Sequence, residues 1–231
     1  MRLATWNVNS LKVRLPQVIG WLQAHQPDML CLQETKLEDA NFPERDIRAA
    51  GYHACYSGQK AYNGVAILSK APVSDALTAV PGFSDPQKRV LAANVNGIRI
   101  VCLYVPNGQS VDSDKYRYKL DWLAAVTAWL KSELAANPRL AVAGDFNIAP
   151  DARDVHDPKA WEGQVLVSIP ERQAFQDLLA IGLKDSFRLF EQPAQAFTWW
   201  DYRMNAFKRR MGLRIDHVLV SDGLAPACRS C

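Results

Sequence analysis

The sequence predicts an α/β domain in which two mixed β-sheets pack face to face with helices on the outside. Apolar runs of strand length recur along the 231 residues, and helical patterns separate the first of them. A tight-turn signature at Asn96-Gly97 adds a hairpin, so the sheets should contain antiparallel as well as parallel pairs. Several strands are apolar on both faces, and such strands need cover on both sides.

The predicted strands are short apolar or alternating runs. They cover residues 2–6, 29–33, 64–69, 94–95, 98–104, 140–144, 197–200 and 215–221. The first helix should be capped by Ser10 and end ahead of Pro27. A second is predicted over about residues 116–136, where apolar side chains recur every three or four positions. A third follows Pro170 and ends near Gly182.

Composition indicates a single domain over residues 1–231, because 48% of the residues are hydrophobic and no linker interrupts the pattern. A net charge of +3 does not by itself indicate a nucleic-acid binder. The chain starts with a strand pattern rather than a signal peptide and has no run long enough for a membrane span. We therefore expect a cytoplasmic protein that acts away from membranes, as a monomer.

Polar side chains stand at or just beyond the ends of apolar strands. Glu34 is the strongest candidate for a metal ligand, because a carboxylate held where a buried strand ends needs a counter-charge. A divalent cation or the neighbouring Lys36 could supply that charge. The polar residues at these strand ends are Asn7, Glu34, Tyr104, Asp145 and Asn147, and Asp216 lies within a further strand.

The segment Gly144-Asp145-Phe146-Asn147 places a carboxylate and a carboxamide two residues apart, so both should face the same side. Together they could address one phosphate and its attacking water. The alternative is an Asx-turn that closes the strand. Tyr104 and Asn107 add donors suited to phosphate oxygens, although a tyrosine can also cap a strand end through packing alone.

Basic and aromatic residues suggest a nucleic-acid surface. Lys208-Arg209-Arg210 with Arg214, and Lys88-Arg89, form basic clusters that could contact phosphates; solvated loops are the alternative. Trp199 lies in the aromatic segment 197–203, where ring faces and guanidinium groups suit bases and sugars. The Cys228/Cys231 pair lacks partners for a zinc site.

Taken together, these stretches resemble the exonuclease III family of abasic-site endonucleases, within the wider endonuclease/exonuclease/phosphatase group. The matching segments are residues 5–11, 32–36, 62–66, 144–150, 198–203 and 212–217. The resemblance implies a four-layered α/β sandwich. It also implies hydrolysis of double-stranded DNA at abasic sites or 3′ ends, within base excision repair.

The resemblance further assigns roles to individual residues. Mg²⁺ or Mn²⁺ would be held mainly by Glu34, supported by Asn7 and Asn9, and Asp145 would handle protons of the water or the leaving group. The phosphate would be held by Asn147, Tyr104 and Asn107.

A DNA pocket is implied as well. Trp199, Leu213 and Ile215 would wall a pocket that admits a flipped-out sugar lacking its base. The balance between endonuclease, 3′-exonuclease and 3′-phosphatase activity would depend on loops that carry DNA-contacting residues. These residues are Arg89, Lys60, Lys208 and Arg209.

One family feature is absent. Family members end with a Ser-Asp-His segment whose histidine pairs with the residue matching Asp216, whereas this sequence ends at Cys231 without that segment. His217 should not replace it, because neighbours on a strand face opposite sides. We therefore expect an incomplete sequence, a sheet edge left unpaired and weak nuclease activity. The alternatives are a catalytically silent DNA-binding protein and a phosphatase of small phosphoesters.

Overall fold

Twelve strands and four α-helices build the structure, a computed structural model that describes residues 1–231. The strands are β1 (Leu3–Asn7), β2 (Met29–Gln33), β3 (His53–Ser57), β4 (Val65–Ser69), β5 (Ser74–Leu77), β6 (Val90–Val95), β7 (Ile98–Tyr104), β8 (Leu140–Asp145), β9 (Leu183–Asp185), β10 (Trp199–Trp200), β11 (Gly212–Leu213) and β12 (Asp216–Ser221). The helices are α1 (Leu11–His25), α2 (Glu44–Ala49), α3 (Asp114–Ala136) and α4 (Ile169–Ala180).

The strands form two mixed sheets, as predicted. The four-stranded sheet has the order β1-β2-β4-β3, and the six-stranded sheet has the order β5-β6-β7-β8-β12-β9. The β1/β2 and β7/β8 pairs are parallel and the other pairs in these sheets are antiparallel. Strands β10 and β11 make a separate two-stranded ribbon. The two parallel pairs matter most for the site, because their carboxyl ends meet.

Four layers result from how each strand distributes its side chains. Met29 and Cys31 of β2 face the six-stranded sheet, where they join Ile100 of β7 in the core between the sheets. The alternate residue Leu30 packs against α1 and α2 on the outside. Helices α3 and α4 cover the outer face of the six-stranded sheet through residues such as Trp122. The predicted sandwich is therefore confirmed.

The predicted hairpin is confirmed, since Asn96 and Gly97 connect β6 to β7 with φ of 49° and 71°. Ser10 occupies the predicted N-cap position of α1, but the predicted side-chain cap is absent. Ser10 has φ of 96° and its side chain caps nothing; its N–H donates instead to the Glu34 carbonyl, and the Leu11 N–H donates to that of Thr35. The loop after β2 thus accepts from the N–H groups of Ser10 and Leu11 at the start of α1, and it connects this helix to Glu34.

The elements that the sequence did not predict are short or lie at sheet edges. Strands β3, β5 and β9 and helix α2 belong to this group. Strand β5 is mostly exposed, so it has no apolar pattern to detect. Conversely, the predicted strand at 197–200 contracts to the two residues of β10. None of the helices combines the length and the apolar composition that crossing a membrane requires.

Candidate active site

Polar side chains from both sheets meet at one end of the sandwich. Tyr104 of β7 pairs in register with Asp145 of β8, which in turn pairs with Asp216 of β12. In the other sheet β1 ends at Asn7, and Glu34 follows β2. The Asn7 Nδ2 group donates to Glu34 Oε1 and to Asp145 Oδ2, at 2.8 Å each. One carboxamide therefore joins the two sheets at the site.

Glu34 is half-buried and ion-paired. The Lys36 ammonium lies 2.9 Å from Glu34 Oε2 and 2.5 Å from Asn9 Oδ1. Burial acts to raise the pKa of the Glu34 carboxyl, but hydrogen bonds from Asn7 and Lys36 outweigh it, so that pKa is lowered. Glu34 is consequently an anion at neutral pH, and the Lys36 pairing considered from the sequence is present.

The two aspartates behave differently from Glu34. Burial raises the pKa of Asp145 to about 6, although Asn7 and the Asn147 N–H donate to it, and the charge of Glu34 contributes to the increase. The pKa of Asp216 is raised well above its usual range by burial and by the charge of Asp145. Nearby positive charge is thus too little for three ionised carboxylates, an imbalance that a bound cation would relieve.

Asp145 and Asn147 flank a residue that faces the opposite way, as the spacing predicted. Phe146 is fully buried in the core beneath the helices. Asn147 has φ of 48°, and its N–H donates to Asp145 Oδ1 at 2.9 Å, so the segment also forms an Asx-type turn. The Asn107 Nδ2 group donates to Asn147 Oδ1 at 3.1 Å. The two carboxamides therefore form a pair beside Asp145.

Tyr104 is held by its neighbour Arg89. The guanidinium lies 4.6 Å from the ring centroid and donates to the Tyr104 carbonyl at 3.2 Å. Burial, followed by the charges of Glu34 and Asp145, raises the pKa of the Tyr104 hydroxyl. The hydroxyl therefore stays protonated at neutral pH and can donate a hydrogen bond to an anion.

Two clefts open onto this cluster. The first, of about 820 Å³, has Asn7, Glu34 and Asp145 among its lining residues, together with Trp199 and Lys208. The second, of about 710 Å³, lies on the Tyr104 side. Its lining includes Arg89, Asn107 and Tyr62. The exposed side chains of Lys60 and Arg209 line neither cleft.

Leu213 and Ile215 are not placed where the sequence analysis expected them. Both are buried in a small core with Val155 and Leu166, and neither lines the first cleft. Trp199 packs against this core. The side chains of Leu213 and Ile215 therefore pack beneath Trp199 and do not form the cleft surface, because the segment that carries them is covered on both faces.

Arg214 is not part of an exposed basic cluster, so that expectation is wrong. It is 2% exposed and donates to Asp154 Oδ1 at 2.7 Å and to Asp185 Oδ2 at 2.8 Å. It also lies 3.0 Å from Nδ1 of His217. The guanidinium therefore joins three segments beneath the site.

His217 faces away from Asp216, as strand alternation predicted. Its Nε2 lies 2.9 Å from the Ile148 carbonyl, and burial together with the Arg214 charge lowers its pKa to about 3. The imidazole is thus neutral, and Nε2 is the donor. His156 lies 3.3 Å from the Gly212 carbonyl. No histidine among residues 1–231 hydrogen-bonds to Asp216.

Lys119 was not singled out from the sequence. Its ammonium lies beneath the carboxamide pair, 2.6 Å from the Asn147 carbonyl and 3.2 Å from that of Asn107, and 2.5 Å from Glu171 Oε1. The available signal was its position: Lys119 falls on the buried stripe of α3, three residues from Tyr116 and from Trp122. A charged residue in an apolar stripe indicates a buried partner.

The donor set fits a hard cation. No three His, Cys, Asp or Glu side chains are close enough to hold a metal ion by themselves. Glu34 is therefore the leading carboxylate, and the side chains of Asn7 and Asn9 lie beside it, where Asn7 Oδ1 accepts the Asn9 N–H and Asn9 Oδ1 accepts from Lys36. Mg²⁺ accepts such a set, because it takes oxygen ligands, binds one or two carboxylates and keeps several waters.

Comparisons with known proteins agree with this geometry. A model of the "Endonuclease/Exonuclease/phosphatase family" matches residues 4–231. Exodeoxyribonuclease III of Haemophilus influenzae is 33% identical over 99% of this chain and 90% of its own length. The structure of 3′ phosphatase NExo from Neisseria, bound to a product DNA hairpin, is 46% identical with a TM-score of 0.96, covering 98% of this chain and 88% of that one. An AP endonuclease from Archaeoglobus fulgidus is 37% identical with a TM-score of 0.94, covering 98% of this chain and 88% of that one.

Proposed function

The chain belongs to the endonuclease/exonuclease/phosphatase family, and on this basis we propose that it is a Mg²⁺- or Mn²⁺-dependent hydrolase of DNA in base excision repair. It would incise 5′ to abasic sites and process 3′ ends. The observation that supports this most strongly is the Asn7 side chain, which joins Glu34 of one sheet to Asp145 of the other. The resemblance found in the sequence is confirmed by the family match.

Glu34 would hold the metal ion, with Asn7 and Asn9 supplying oxygen atoms or orienting its waters. A bound Mg²⁺ supplies charge neutralisation at the phosphate and a more acidic water. Glu34 suits this role because the hydrogen bonds that lower its pKa keep it ionised. Lys36 would remain beside the carboxylate and limit its net charge.

Three donors would orient the phosphate, namely the Tyr104 hydroxyl and the amides of Asn107 and Asn147. Asp145 would accept a proton from the attacking water or return one to the leaving oxygen. Its pKa of about 6 suits either task, since a group that titrates near the working pH both takes and gives protons. Water adds to phosphorus, the bond from phosphorus to the 3′ oxygen breaks, and that oxygen leaves as a hydroxyl.

The test is a single-turnover assay of the 231-residue protein in 5 to 10 times molar excess over DNA, an order-of-magnitude excess that saturates the substrate. The substrates are a duplex with an abasic site, a duplex with a recessed 3′ hydroxyl and a duplex with a 3′-phosphate. Mg²⁺-dependent product that EDTA abolishes supports the proposal. Salt-dependent binding without product would favour the silent DNA-binding alternative, and preference for a small phosphoester would favour the phosphatase alternative.

A second candidate for the main reaction is removal of 3′-phosphates. The observation in its favour is that identity is higher to the Neisseria NExo structures, described as a 3′ phosphatase and as a 3′-5′ exonuclease, at 46% each, than to the archaeal AP endonuclease, at 37%, which favours processing of 3′ ends. The same assay decides the matter. If the single-turnover rate constant for the 3′-phosphate duplex exceeds that for the abasic duplex, 3′-end repair is the main activity; the reverse order supports incision.

We expect residues 1–231 to hydrolyse DNA about 10²- to 10⁴-fold more slowly than the Haemophilus exodeoxyribonuclease III assayed in parallel. The reason is that Asp216 has no histidine partner among these residues, and a general acid or base contributes a rate factor of that size. Added imidazole should restore part of the rate. An Asp216→Asn variant should lose this rescue, since Asp216 would orient the imidazole. A fast rate without imidazole would contradict the expectation.

The basic residues proposed to contact DNA can be tested by salt dependence. Each phosphate contact contributes about 0.9 to the slope of log K against log salt. Lys208→Ser with Arg209→Ser should therefore lower the slope by about 2 if both contact phosphates. The matched control is Lys131→Ser with Arg139→Ser, which removes the same charge from exposed positions away from both clefts. Equal slopes for the two double variants would contradict the assignment of Lys208 and Arg209 as phosphate contacts.

We also propose a cytoplasmic location. The five cysteines are all free thiols, which suits a reducing compartment. The monomeric state remains a prediction, which sedimentation of the purified protein can check.

A further inference from the structure

A fully buried ion pair lies beneath the carboxamide pair of the site. Lys119 of α3 and Glu171 of α4 are both 0% exposed, and Lys119 Nζ lies 2.5 Å from Glu171 Oε1. The remaining contacts of the ammonium are the carbonyl of Asn147, at 2.6 Å, and that of Asn107, at 3.2 Å. All three ammonium protons are therefore used, two of them on residues proposed to hold the phosphate.

Stability alone does not explain this pair. Removing two charges from water costs several kcal/mol, and apolar residues of similar volume often serve as well or better. Lys119 lies in the buried stripe of α3, between Tyr116 and Trp122, where a methionine or leucine would continue the apolar pattern. Burial opposes the charged form of the lysine and lowers its pKa, and Glu171 offsets this effect only in part. Burying this pair therefore costs folding free energy, which indicates a role other than stability.

The ammonium is itself held in place. Glu171 Oε1 accepts the Leu166 N–H at 3.0 Å, and Oε2 accepts the Ser168 N–H at 3.1 Å. Glu171 is also part of the capping box at the start of α4. Lys119 therefore links a rigid helix start to the carbonyls of Asn107 and Asn147.

The position of Asn147 depends on such a link. This residue adopts a left-handed φ of 48°, which is costly unless surrounding contacts support it. Its carboxamide accepts from Asn107, so a shift of either backbone would separate the pair. A carbonyl held from behind by a charged donor resists that shift.

We propose that Lys119 is a positioning residue for the reaction, holding the backbones of Asn107 and Asn147 so that their carboxamides face the phosphate together. This inference rests on the proposed function. Lys119 contacts no substrate itself and acts through the two asparagines. Misplacement of orienting groups by about 1 Å costs on the order of 100-fold in rate, so the effect should fall on kcat rather than on KM.

The experiment compares two double variants, each of which removes an ion pair that includes one residue of α3. Lys119→Met with Glu171→Gln removes both charges of the buried pair, and the single glutamine oxygen keeps an acceptor for one of the two N–H groups of Leu166 and Ser168. Arg99→Met with Glu133→Gln is the matched control, because it also removes an ion pair that involves α3, here one that joins the far end of this helix to the six-stranded sheet. For each, unfolding midpoint, kcat and KM are measured on the DNA substrate that wild type processes best.

The first double variant should lose about 10- to 100-fold in kcat, with KM changed less than about threefold, whereas the control should keep its kcat. A Lys119→Arg variant, which retains the charge, should recover part of the loss. Equal kcat in both double variants, or a loss that simply follows the unfolding midpoint, would overturn the proposal.

A second readout does not need activity. In ¹H–¹⁵N spectra, the side-chain amide signals of Asn107 and Asn147 should shift in the Lys119 variants and stay in place in the control. If wild type hydrolyses no DNA, the proposed function fails while this readout still tests the positioning role. If wild type is active and the amide signals do not move, the positioning role alone fails. Should the double variant not fold, Lys119→Gln, which removes the charge and keeps amide donors, provides the comparison, and unmoved amides with unchanged kcat would overturn the proposal.

Discussion

Asp145→Asn is expected to reduce hydrolysis by about 10²- to 10⁴-fold and yet to stabilise the metal-free protein at pH 8 by about 1–3 kcal/mol. The loss of rate follows from removing the proposed proton acceptor. The gain in stability follows from the Asp145 pKa of about 6, which shows that the folded site disfavours the ionised carboxylate. About two pKa units correspond to roughly 3 kcal/mol, and the lost acceptor for Asn7 or Asn147 offsets part of it.

The pH dependence of unfolding tests whether Asp145→Asn stabilises or destabilises the protein. The folded state holds the Asp145 proton up to about pH 6, whereas the unfolded chain releases it near its ordinary pKa. This group's contribution to stability therefore falls as the pH rises between these values. The advantage of asparagine over aspartate should be full above pH 6 and shrink toward pH 4. Urea unfolding of both proteins at pH 8 and pH 5, with EDTA present, measures this difference in the free energy of unfolding.

Asp151→Asn is the matched control, because the pKa of that exposed carboxylate is lowered by Arg153. It should leave the rate unchanged and should not stabilise the protein. An Asp145→Asn protein that is less stable than wild type at pH 8 would contradict the proposed environment of Asp145. Hydrolysis of DNA at the wild-type rate would contradict its proposed role.

Glu34→Ala is expected to remove the stabilisation of the folded protein by Mg²⁺. A ligand that binds only the folded state adds about 2.7 kcal/mol at 100 times its dissociation constant. Wild type should therefore unfold at higher urea when Mg²⁺ is added, since Glu34 supplies the ionised carboxylate of the proposed site. The variant should show no such gain, and its rate should fall further than that of Asp145→Asn.

The control for this experiment is Glu38→Ala, which removes an exposed carboxylate from the same loop. It should retain the full response to Mg²⁺. A Glu34→Ala protein that still gains stability from Mg²⁺ would show that the ion binds elsewhere. Titration with Mn²⁺ provides an independent measure, because its paramagnetic broadening should reach Asn7 and Asn9 in wild type only.

Much of the site could be predicted because its polar residues lie in short sequence segments at the ends of strands. A polar residue at or just beyond the carboxyl end of a strand must lie at the edge of the sheet, and for parallel neighbours these edges coincide. Asn7, Glu34, Tyr104 and Asp145 satisfy this condition, and the structure brings them together. The opposite directions of Phe146 and Asp145 follow from the same alternation.

Contacts between distant segments could not be predicted in this way. Residues 212–215 are all buried, so alternation gave no indication that Leu213 and Ile215 would lie in a small core or that Arg214 would meet Asp154 and Asp185. Edge strands such as β5 were also missed, since exposure removes the apolar pattern that marks a strand.

The sequence by itself determined the two mixed sheets, the helices that cover them and the polar residues at their ends, because alternation and helical periodicity are local consequences of backbone geometry. Only the tertiary structure decided that Asn7 joins Glu34 to Asp145 and that Lys119 lies beneath Asn107 and Asn147. Burial and electrostatic pairing depend on which segments meet in space, and residues 138 positions apart carry no local sign that they will hydrogen-bond.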